Sequence, residues 1–392
     1  MTPSNHLTPS ELKIATRIKE LKDQAGSHSP SIFTIVEQIP ELSINVDACF
    51  LSNPYATELF LRYLKTELID THKMRDVLEF YPSQNAVIAQ LLSNHLETPA
   101  ENIFIGNGAI EIIQAVIHNF TRKKILINIP TFSSYYEFAK DHVEVVFNKL
   151  KKENNYQIDV EEYLEVVRRE KPDTVVIINP NNPDGNYMSW ESVAGLIDQL
   201  RDVETVILDK SFIHFAYEDE SYGLISYSSL VEKYPNLVLL KSMSKDFGIA
   251  GIRAGYAIMR KDRVDHLLKH GYLWNSNGLA EYFFRLYVRE DFLKEYESER
   301  IRYIKETRTF FEQLKQIPGI RVYPSKANFA LIEILNGMKS GDFVTSLLIR
   351  HGVYTRTCSD KIGLDGEFVR LASRTQKENA FILTALREFF GS

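Results

Sequence analysis

The chain is poor in the features that define several protein classes. Its 392 residues include only two cysteines, Cys49 and Cys358, so neither a disulfide framework nor a cysteine-rich metal site is predicted. No stretch approaches about 18 consecutive apolar residues, and the N-terminus lacks the apolar run of a signal peptide. These absences predict a cytoplasmic protein in a reduced compartment, without a membrane partner.

Positive charge is also in short supply. The 46 Lys and Arg residues face 52 Asp and Glu residues, a formal net charge of −6, so no overall basic field recruits nucleic acid. The ten histidines show no metal-ligand spacing, and no metal is expected. What is present is 44% hydrophobic and 25% charged residues, an ordinary globular composition whose length predicts two or more domains.

The N-terminal text LTPSELKIATRIKELKDQAG predicts a capped helix. Thr8 and Glu11 have capping-box spacing, Pro9 suits the first helical position, and Gly26 can end the helix. We expect this N-terminal segment to cross a dimer interface or to cover the functional site. Four apolar residues share one face of the predicted helix: Ile14, Ile18, Leu21 and Ala25.

After residue 85 short apolar runs alternate with helical patterns, which predicts an α/β fold with a mostly parallel central sheet between helices. After residue 290 a long charged helix and shorter strand-like pieces predict a smaller α+β domain. We place the large domain at 66–290, and the small domain, with its N-terminal arm, at 1–65 and 291–392. The apolar runs are NIFIG, KILINIP, TVVIINP, TVILDKS and LVLLKS.

Ligands of such sheets bind beyond the carboxyl ends of the strands, and each run is followed by residues suited to binding. Gly106-Asn107-Gly108 follows the first run, where glycines and a helix N-terminus suit a phosphate, although most such turns are only turns. Asp209 ends the fourth run, and a buried acid there needs a partner. Lys245 follows the fifth run, in the text SMSKDFGIAGIRAGY.

Gly-Asn-Gly, NPNNPxG, a strand-terminal Asp and SxSKxxGxxGxRxGY occur in this order along the chain. In order and spacing they resemble the fold-type-I pyridoxal-phosphate (PLP) enzymes, from about residue 50 to the C-terminus. The branch that the sequence is most similar to contains histidinol-phosphate aminotransferase and L-threonine-O-3-phosphate decarboxylase. The resemblance implies pyridoxal 5'-phosphate as cofactor.

The resemblance assigns roles to residues of this chain. Lys245 would hold the cofactor covalently, Asp209 would keep its pyridine nitrogen protonated, and Asn182 would donate to its phenolic oxygen. Tyr81 matches a tyrosine that reaches the neighbouring subunit's phosphate, which implies a homodimer with shared active sites. The other implied cofactor contacts are Gly108, Ala109, Ser242, Ser244 and Arg253 at the phosphate and Phe132 on the ring.

Some residues favour the decarboxylase branch. Phe212 stands where a tyrosine is common in the family, and Trp274 precedes Asn277 in a W-x-x-N-x-L-A pattern. The text from Arg356 to GLD at 363–365 is also similar to that branch. Lys210 and His214, however, replace residues that are usually acidic, which leaves the substrate open. Asn277 is a candidate substrate contact.

Arg370 and Arg374 form the candidate anion site. We predict that both lie on one strand, four residues apart and on the same side, where a pair of arginines suits a dianionic phosphate. Alternatively, Arg374 makes a structural ion pair. Arg356 is a candidate third anion contact. Asn53 and Asn328 match substrate-side asparagines of the family, or are turn residues.

Two arginines that grip a distal phosphate would leave the substrate carboxylate available for removal. The leading hypothesis is therefore decarboxylation of O-phospho-L-serine or O-phospho-L-threonine to the amino-alcohol phosphate. The alternative is an aminotransferase acting on histidinol phosphate or a triose phosphate, which the arginine pair fits equally well. A PLP-dependent regulator is a third hypothesis, disfavoured because the N-terminal segment is too short for a DNA-binding domain.

Overall fold

The computed structural model describes residues 7–26 and 28–391. This part of the chain forms two compact units. The larger unit comprises residues 52–182 and 186–303, and the smaller unit comprises the described residues up to 51, residues 183–185 and those from 304 onward. The predicted domain boundaries, after residues 65 and 290, both lie inside the larger unit.

Helices and strands are numbered along the chain. The helices are α1 (Pro9–Ala25), α2 (Ile32–Gln38), α3 (Pro54–Leu64), α4 (Met74–Glu79), α5 (Asn85–Ser93), α6 (Gly108–Phe120), α7 (Ser134–Glu137), α8 (Val160–Glu170), α9 (Trp190–Gln199), α10 (Ser228–Lys233), α11 (Lys261–Lys269), α12 (Gly278–Tyr287), α13 (Glu290–Leu314), α14 (Ser340–His351) and α15 (Gln376–Phe390). The strands are β1 (Val46–Asp47), β2 (Ile103–Asn107), β3 (Lys124–Ile129), β4 (Glu144–Lys149), β5 (Thr174–Ile178), β6 (Thr205–Asp209), β7 (Leu237–Ser242), β8 (Ala254–Ile258), β9 (Ile320–Val322), β10 (Phe329–Ile334), β11 (Val353–Tyr354), β12 (Arg356–Thr357) and β13 (Phe368–Ala372).

The larger unit is built on a seven-stranded sheet in the order β2-β8-β7-β6-β5-β3-β4. Strands β4, β3, β5, β6 and β7 pair in parallel, and β8 runs antiparallel to both of its neighbours. The five predicted apolar runs correspond to β2, β3, β5, β6 and β7, so the predicted fold class is confirmed. Two strands escaped prediction. The charged text EVVFNK forms the half-exposed edge strand β4, and β8 lies within the glycine-rich text after Lys245.

Both faces of this sheet are buried, because neighbouring side chains along a strand enter different cores. Val175 and Ile177 of β5 belong to one cluster, with side chains of α5, α9 and α12. Val176 and Ile178 belong to another, with side chains of α6 and α11. Burial on both faces explains why the sequence pattern shows continuous apolar runs rather than alternation.

The smaller unit contains an antiparallel sheet in the order β12-β13-β10-β9, which supports the predicted α+β class for the C-terminal part of the chain. Its core includes Phe310, Leu347, Leu371 and Leu386, contributed by α13, α14, β13 and α15. In addition, β1 pairs in parallel with β11. The pairing brings the segment after β1 next to the arginine-bearing strands described below.

The N-terminal helix begins and ends as the sequence predicts. Thr8 and Glu11 form the capping box, and Gly26 follows the last turn with a φ of 61°. Ile14, Ile18 and Leu21 pack against a cluster that includes Leu348 and Tyr354 of the same unit. The apolar face of α1 is thus partly covered by its own chain. Among the described residues, no helix combines the length and apolar character needed to cross a membrane.

Candidate active site

The residues predicted for cofactor binding gather at the carboxyl edge of the larger unit's sheet. Ile178 pairs with Asp209 between β5 and β6, and Asp209 pairs with Leu240 between β6 and β7. Because β8 is antiparallel, its first residue lies at the same edge, and Ala254 pairs with Asn107 at the end of β2. The strand ends therefore bring together residues that are distant in sequence.

Asp209 ends β6 and is 5% exposed. Its two carboxylate oxygens accept hydrogen bonds from the Ser211 backbone amide and the Tyr135 hydroxyl, each at 2.8 Å. Burial raises the pKa of Asp209, while the bonds from Ser211 and Tyr135 and the positive charge of Lys241 oppose that rise. The result is a buried, oriented carboxyl group that suits a protonated ring nitrogen.

Gly108 begins α6, and Arg253 lies directly against it. Gly108 has a φ of 76°, and a Cβ built on it would come within 2.6 Å of Nη2 of Arg253. Only glycine therefore fits under the guanidinium without displacing it. Arg253 itself adopts a left-handed conformation and donates from Nη1 to the Ala250 carbonyl at 3.0 Å. A helix N-terminus beside an arginine suits a phosphate, and Ala109 has the next backbone amide of this candidate phosphate cradle.

The NPNNPDG loop uses most of its asparagines to hold itself in place. Asn179 donates to the carbonyl of Met188 at 2.9 Å and to the hydroxyl of Tyr227 at 3.0 Å. Asn181 accepts from Thr131 at 2.8 Å and donates to the Pro130 carbonyl at 3.0 Å. Asn182, buried in the middle of this segment, remains the predicted cofactor contact.

Lys245 is held through its backbone. Its carbonyl accepts from the Asn53 amide at 2.8 Å and from the Gly248 amide at 3.3 Å. Asn53, fully buried, caps α3 by accepting from the amides of Tyr55 and Ala56. The other side-chain atom of Asn53, Nδ2, has no hydrogen-bond partner among the described residues. The structure thus places a buried amide donor beside Lys245.

The serines before Lys245 and the aromatic residue after β3 complete this edge. Ser242 accepts from the Ser244 amide at 3.2 Å, and its own amide donates to Ser211 Oγ at 3.3 Å. Phe132 is half-buried, and its ring centroid lies 6.5 Å from that of Tyr135. Phe132 thus neighbours the tyrosine that holds Asp209.

Two further candidates of the larger unit have other local roles. Asn277 caps α12 by accepting from the Ala280 amide at 3.0 Å, and it donates to the Ile252 carbonyl at 2.8 Å. Tyr81 is 91% exposed, and its ring stacks on Trp274 with centroids 6.2 Å apart. Neither observation tests the predicted contacts with substrate or with a neighbouring subunit.

Arg370 and Arg374 belong to the smaller unit, and the prediction that one strand carries both is wrong. Arg370 lies in β13, but the strand ends at Ala372, because the chain then turns into the capping box of α15 at Thr375. Arg374 Nε lies 3.7 Å from Glu378 Oε1, so Arg374 makes the ion pair that was the alternative prediction for it. Arg370 is buried and donates from Nη2 to the Cys49 carbonyl at 2.9 Å.

Arg356 pairs with Arg370 across β12 and β13 and forms part of what we call the cation group. It donates to Ser29 Oγ at 2.9 Å and to Asp360 Oδ2 at 2.7 Å, and Lys361 Nζ lies 3.6 Å from that carboxylate. Burial and the charge of Arg356 together lower the pKa of Arg370 to about 10. Burial and Arg356 also lower the pKa of Lys22. The cation group consists of Lys22, Arg356, Lys361 and Arg370.

Asn328 is buried in the smaller unit, where it has a structural part. Its Nδ2 donates to the Leu51 carbonyl at 2.9 Å, and its own carbonyl accepts from the Ser373 amide at 2.8 Å. These bonds hold the loop after β1 beside the end of β13. Substrate binding by Asn328 stays a prediction.

Sequence reasoning missed several residues that support the site. Ser211, two residues after Asp209, could have been predicted from the common turn in which an aspartate accepts from the second amide along. Tyr135 had no such signal, because it lies in α7, 74 residues before Asp209 in sequence. Lys241 and Asp246 flank the Ser242–Lys245 segment, and both are fully buried as an ion pair. Lys22 and Lys361 were missed as members of the cation group.

The larger unit's residues fit pyridoxal 5'-phosphate. The cradle of Gly108 and Arg253 suits its phosphate, Asp209 its ring nitrogen and Lys245 its aldehyde carbon. Three buried polar atoms have no hydrogen-bond partner within the described part of the chain: Nδ2 of Asn53, whose backbone amide bonds Lys245, and Oγ of Ser133 and Ser134, the two residues before Tyr135. Buried polar atoms of this kind are typical of a ligand site.

Comparison with known proteins agrees with this geometry. The family model of aminotransferases of class I and II matches residues 52–386, so the chain belongs to that family. This match confirms the resemblance inferred from the sequence. It also confirms that the chain belongs to an enzyme family, and that family includes carboxy-lyases.

Particular relatives refine the class. The chain is 58% identical to L-serine phosphate decarboxylase of Campylobacter jejuni over 384 residues, 98% of each chain. It matches the solved structure of a decarboxylase from Sulfurospirillum multivorans with a TM-score of 0.93 and 47% identity, covering 97% of both chains. It is 33% identical to histidinol-phosphate aminotransferase of Methanococcus aeolicus, covering 79% of this chain and 81% of the relative.

Proposed function

We propose that this protein is a PLP-dependent carboxy-lyase that converts O-phospho-L-serine to ethanolamine phosphate and carbon dioxide. Identity of 58% over nearly the whole chain to a protein named L-serine phosphate decarboxylase supports this branch over the aminotransferase at 33%. Bound PLP would supply an electron sink for the pair released when the Cα–carboxylate bond breaks.

The cation group is the observation that carries the choice of a phosphorylated substrate. Arg356, Lys361 and Arg370 are buried, Lys22 is half-buried, and Asp360 is the carboxylate that they share. Burying several like charges is costly unless anions offset them. A phosphate dianion would supply that charge, and arginine binds it through two parallel bonds.

In the larger unit, Lys245 is the group that would deliver a proton to Cα after carbon dioxide leaves. Asp209, held by Ser211 and Tyr135, would keep the ring nitrogen protonated. Asn53 Nδ2 would donate to an anionic oxygen near Lys245, since its amide has no other acceptor among the described residues. Asn182 would donate to the phenolic oxygen of the cofactor, the role that the resemblance implies.

We also propose a homodimer with shared active sites. The surface around Tyr81 exposes several large apolar side chains, more than isolated apolar residues on a monomer surface would explain. A second copy of the chain would cover them, as the resemblance implies for Tyr81. The exposed residues are Leu78 (73%), Phe80 (65%), Tyr81 (91%), Leu273 (55%) and Trp274 (63%).

The decisive experiment incubates the PLP-loaded enzyme with O-phospho-L-serine, O-phospho-L-threonine or L-serine, without a keto-acid acceptor, and follows products by NMR. We expect many equivalents of ethanolamine phosphate from phosphoserine and little turnover of serine. Lys245→Ala, loaded with PLP in the same way, is the matched control.

Other outcomes would redirect the proposal. Efficient formation of aminopropanol phosphate would identify the threonine derivative as the substrate. Reaction that stops after one equivalent, with the cofactor left as its amine form, would establish an aminotransferase. For the dimer, light scattering on Phe80→Asp/Leu273→Asp should show a monomer where the unmodified chain shows a dimer, and an unchanged mass would overturn that assignment.

A further inference from the structure

A second charged cluster lies in the interior of the larger unit and has no part in the chemistry proposed above. Its members are at most 9% exposed. They come from the loop after β6, from β7, from the segment after Lys245 and from α13. We call this cluster the buried charge network: Lys210, His214, Lys241, Asp246 and Arg300.

The Lys241–Asp246 ion pair is the centre of this network. Both side chains are 0% exposed, and Lys241 Nζ donates to Asp246 Oδ2. His214 Nδ1 lies 3.3 Å from the same carboxylate oxygen and 2.9 Å from the Tyr296 hydroxyl. Burial raises the pKa of Asp246 and lowers that of Lys241, and the ion pair opposes both shifts. The two charges are thus each other's main compensation.

One end of the pair fixes the backbone that carries Lys245. Asp246 is the next residue, so its side chain anchors the peptide unit that follows Lys245. Phe247, the residue after it, stacks on Tyr296 with centroids 4.1 Å apart and an interplanar angle of 21°. Together with the bonds of the Lys245 carbonyl to Asn53 and Gly248, these contacts hold the segment on both sides.

The other end of the pair lies next to the strand that carries Asp209. Lys241 follows Leu240, whose Cα pairs with that of Asp209 in the β6–β7 ladder. The Leu240 carbonyl also accepts from the Lys210 amide at 2.8 Å. The charge of Lys241 acts on Asp209 and opposes the rise of its pKa. One ion pair therefore connects the two residues on which the cofactor chemistry depends.

We infer that Lys241 and Asp246 are positioning residues, whose buried ion pair holds Lys245 in place beside the strand that carries Asp209. The inference rests on the proposed PLP chemistry. A purely structural ion pair would need only to be compensated, whereas Lys241 and Asp246 stand on either side of Lys245 in sequence, and Lys241 lies on the strand that pairs with the one carrying Asp209. Removing it should alter the electrostatic surroundings of the bound cofactor even where the fold survives.

Other charged and titratable groups also surround the pair. Lys210 Nζ lies 5.6 Å from the ring centroid of Tyr256, and burial lowers the pKa of Lys210 to about 7. Arg300 donates to the His214 and Tyr222 carbonyls and pairs with Glu297 at 2.6 Å. Burial lowers the pKa of His214 well below its usual value. Tyr287 and Tyr296 are both kept neutral by burial, which raises their pKa values.

The test compares Lys241→Met with the double variant Lys241→Met/Asp246→Asn. The single variant leaves Asp246 buried without its cation, so its melting temperature should fall. The double variant removes both charges at nearly constant volume, and such replacements of buried ion pairs are often neutral for stability. It should therefore recover most of the melting temperature and keep the protein folded for the remaining measurements.

The readout beyond activity is the absorbance spectrum of the PLP-loaded protein recorded against pH. Loss of the positive charge of Lys241 favours the protonated forms of groups at the cofactor site. The pH midpoint of the spectral transition in Lys241→Met should therefore rise by about one pH unit. In the double variant the spectrum should stay altered, and kcat for phosphoserine should fall about ten-fold with little change in KM.

The control removes a matched but exposed pair on α11, Lys261 and Asp265, whose side chains are 58% and 43% exposed. Lys261→Met/Asp265→Asn should keep the unmodified spectrum and kcat. A double variant of the buried pair with an unmodified spectrum and unmodified kcat would overturn the inference. Failure of the unmodified protein to bind PLP, in contrast, would overturn the proposed function itself.

Discussion

The two units of this protein compensate buried charge differently. In the larger unit, Lys241 lies against Asp246, and Arg300 lies against Glu297. In the smaller unit, Arg356, Lys361 and Arg370 are buried and Lys22 is half-buried, and Asp360 is the carboxylate that they share. In the first arrangement each of these two cations has an acidic partner, whereas the second groups four cations around Asp360.

This difference indicates a division of labour. A balanced interior can hold reactive residues in fixed positions and tune their ionisation. An excess of buried cations raises the free energy of the folded chain until an anion binds. We therefore expect changes in the larger unit to act on turnover or on stability, and changes in the smaller unit to act on affinity for anions.

The largest effect should come from Lys245→Ala. Loss of the amine removes both the cofactor anchor and the proton donor, so kcat for phosphoserine should fall at least about a thousand-fold. Stabilisation of the fold by sulfate, which reports on the cation group, should stay as it is in the unmodified protein. Thermal melts with and without sulfate, beside NMR product assays, measure both. A kcat above about a thousandth of that of the unmodified protein would contradict the role of Lys245.

Arg370→Met should act on the opposite side of the comparison. Loss of a buried, charge-assisted contact to phosphate should lower kcat/KM for phosphoserine about a hundred-fold. Sulfate should no longer raise the melting temperature, because ligand stabilisation follows the ratio of ligand concentration to Kd. Arg374→Met is the matched comparison, with a smaller loss expected since Arg374 lies 3.7 Å from Glu378. Equal losses in both variants would indicate that Arg370 and Arg374 bind the phosphate together, as the sequence predicted.

Lys210→Met tests whether the larger unit's charges affect stability. Burial lowers the pKa of Lys210 to about 7 from 10.5, so the unfolded chain binds the extra proton between those values. Stability should therefore rise with pH through this window, and the buried cation should cost the fold most below it. The variant should be more stable by about 4 kcal/mol at neutral pH, with the gain vanishing towards the upper limit. Urea unfolding of both proteins across this pH range measures the difference in stability. The same pH dependence of stability in both proteins would refute the prediction.

The smallest effect should come from Thr8→Ala in the smaller unit. The variant removes one capping box but leaves the cation group in place, so stability should fall by about 1 kcal/mol or less. The second capping box, at Thr375 and Glu378 of α15, offers Thr375→Ala as a comparison. Sulfate should stabilise both variants as it does the unmodified chain. Loss of that effect in Thr8→Ala would show that anion binding by Lys22 depends on the capped start of α1.

Much of the larger unit could be predicted from the sequence, because its signals are local. Apolar runs bounded by turn residues predicted five of its strands, and the carboxyl ends of those strands carry Asp209 and the segment leading to Lys245. The edge strand β4 was not predicted, because its charged and half-exposed sequence lacks the continuous apolar pattern of a buried strand. The strand carrying Arg370 was predicted too long, since the helix cap at Thr375 was not weighed against the strand pattern.

By itself the sequence determined the family, the α/β architecture and the order of the cofactor residues, since these depend on motifs and on short-range periodicity. Only the tertiary structure decided which charges meet. Lys241 of β7 meets Asp246, which follows that strand, in the interior of the larger unit, and Arg356 pairs with Arg370 across two strands that are separate in sequence. Burial then shifts the pKa of each group. Burial is a property of the folded chain and cannot be read from the residue type alone.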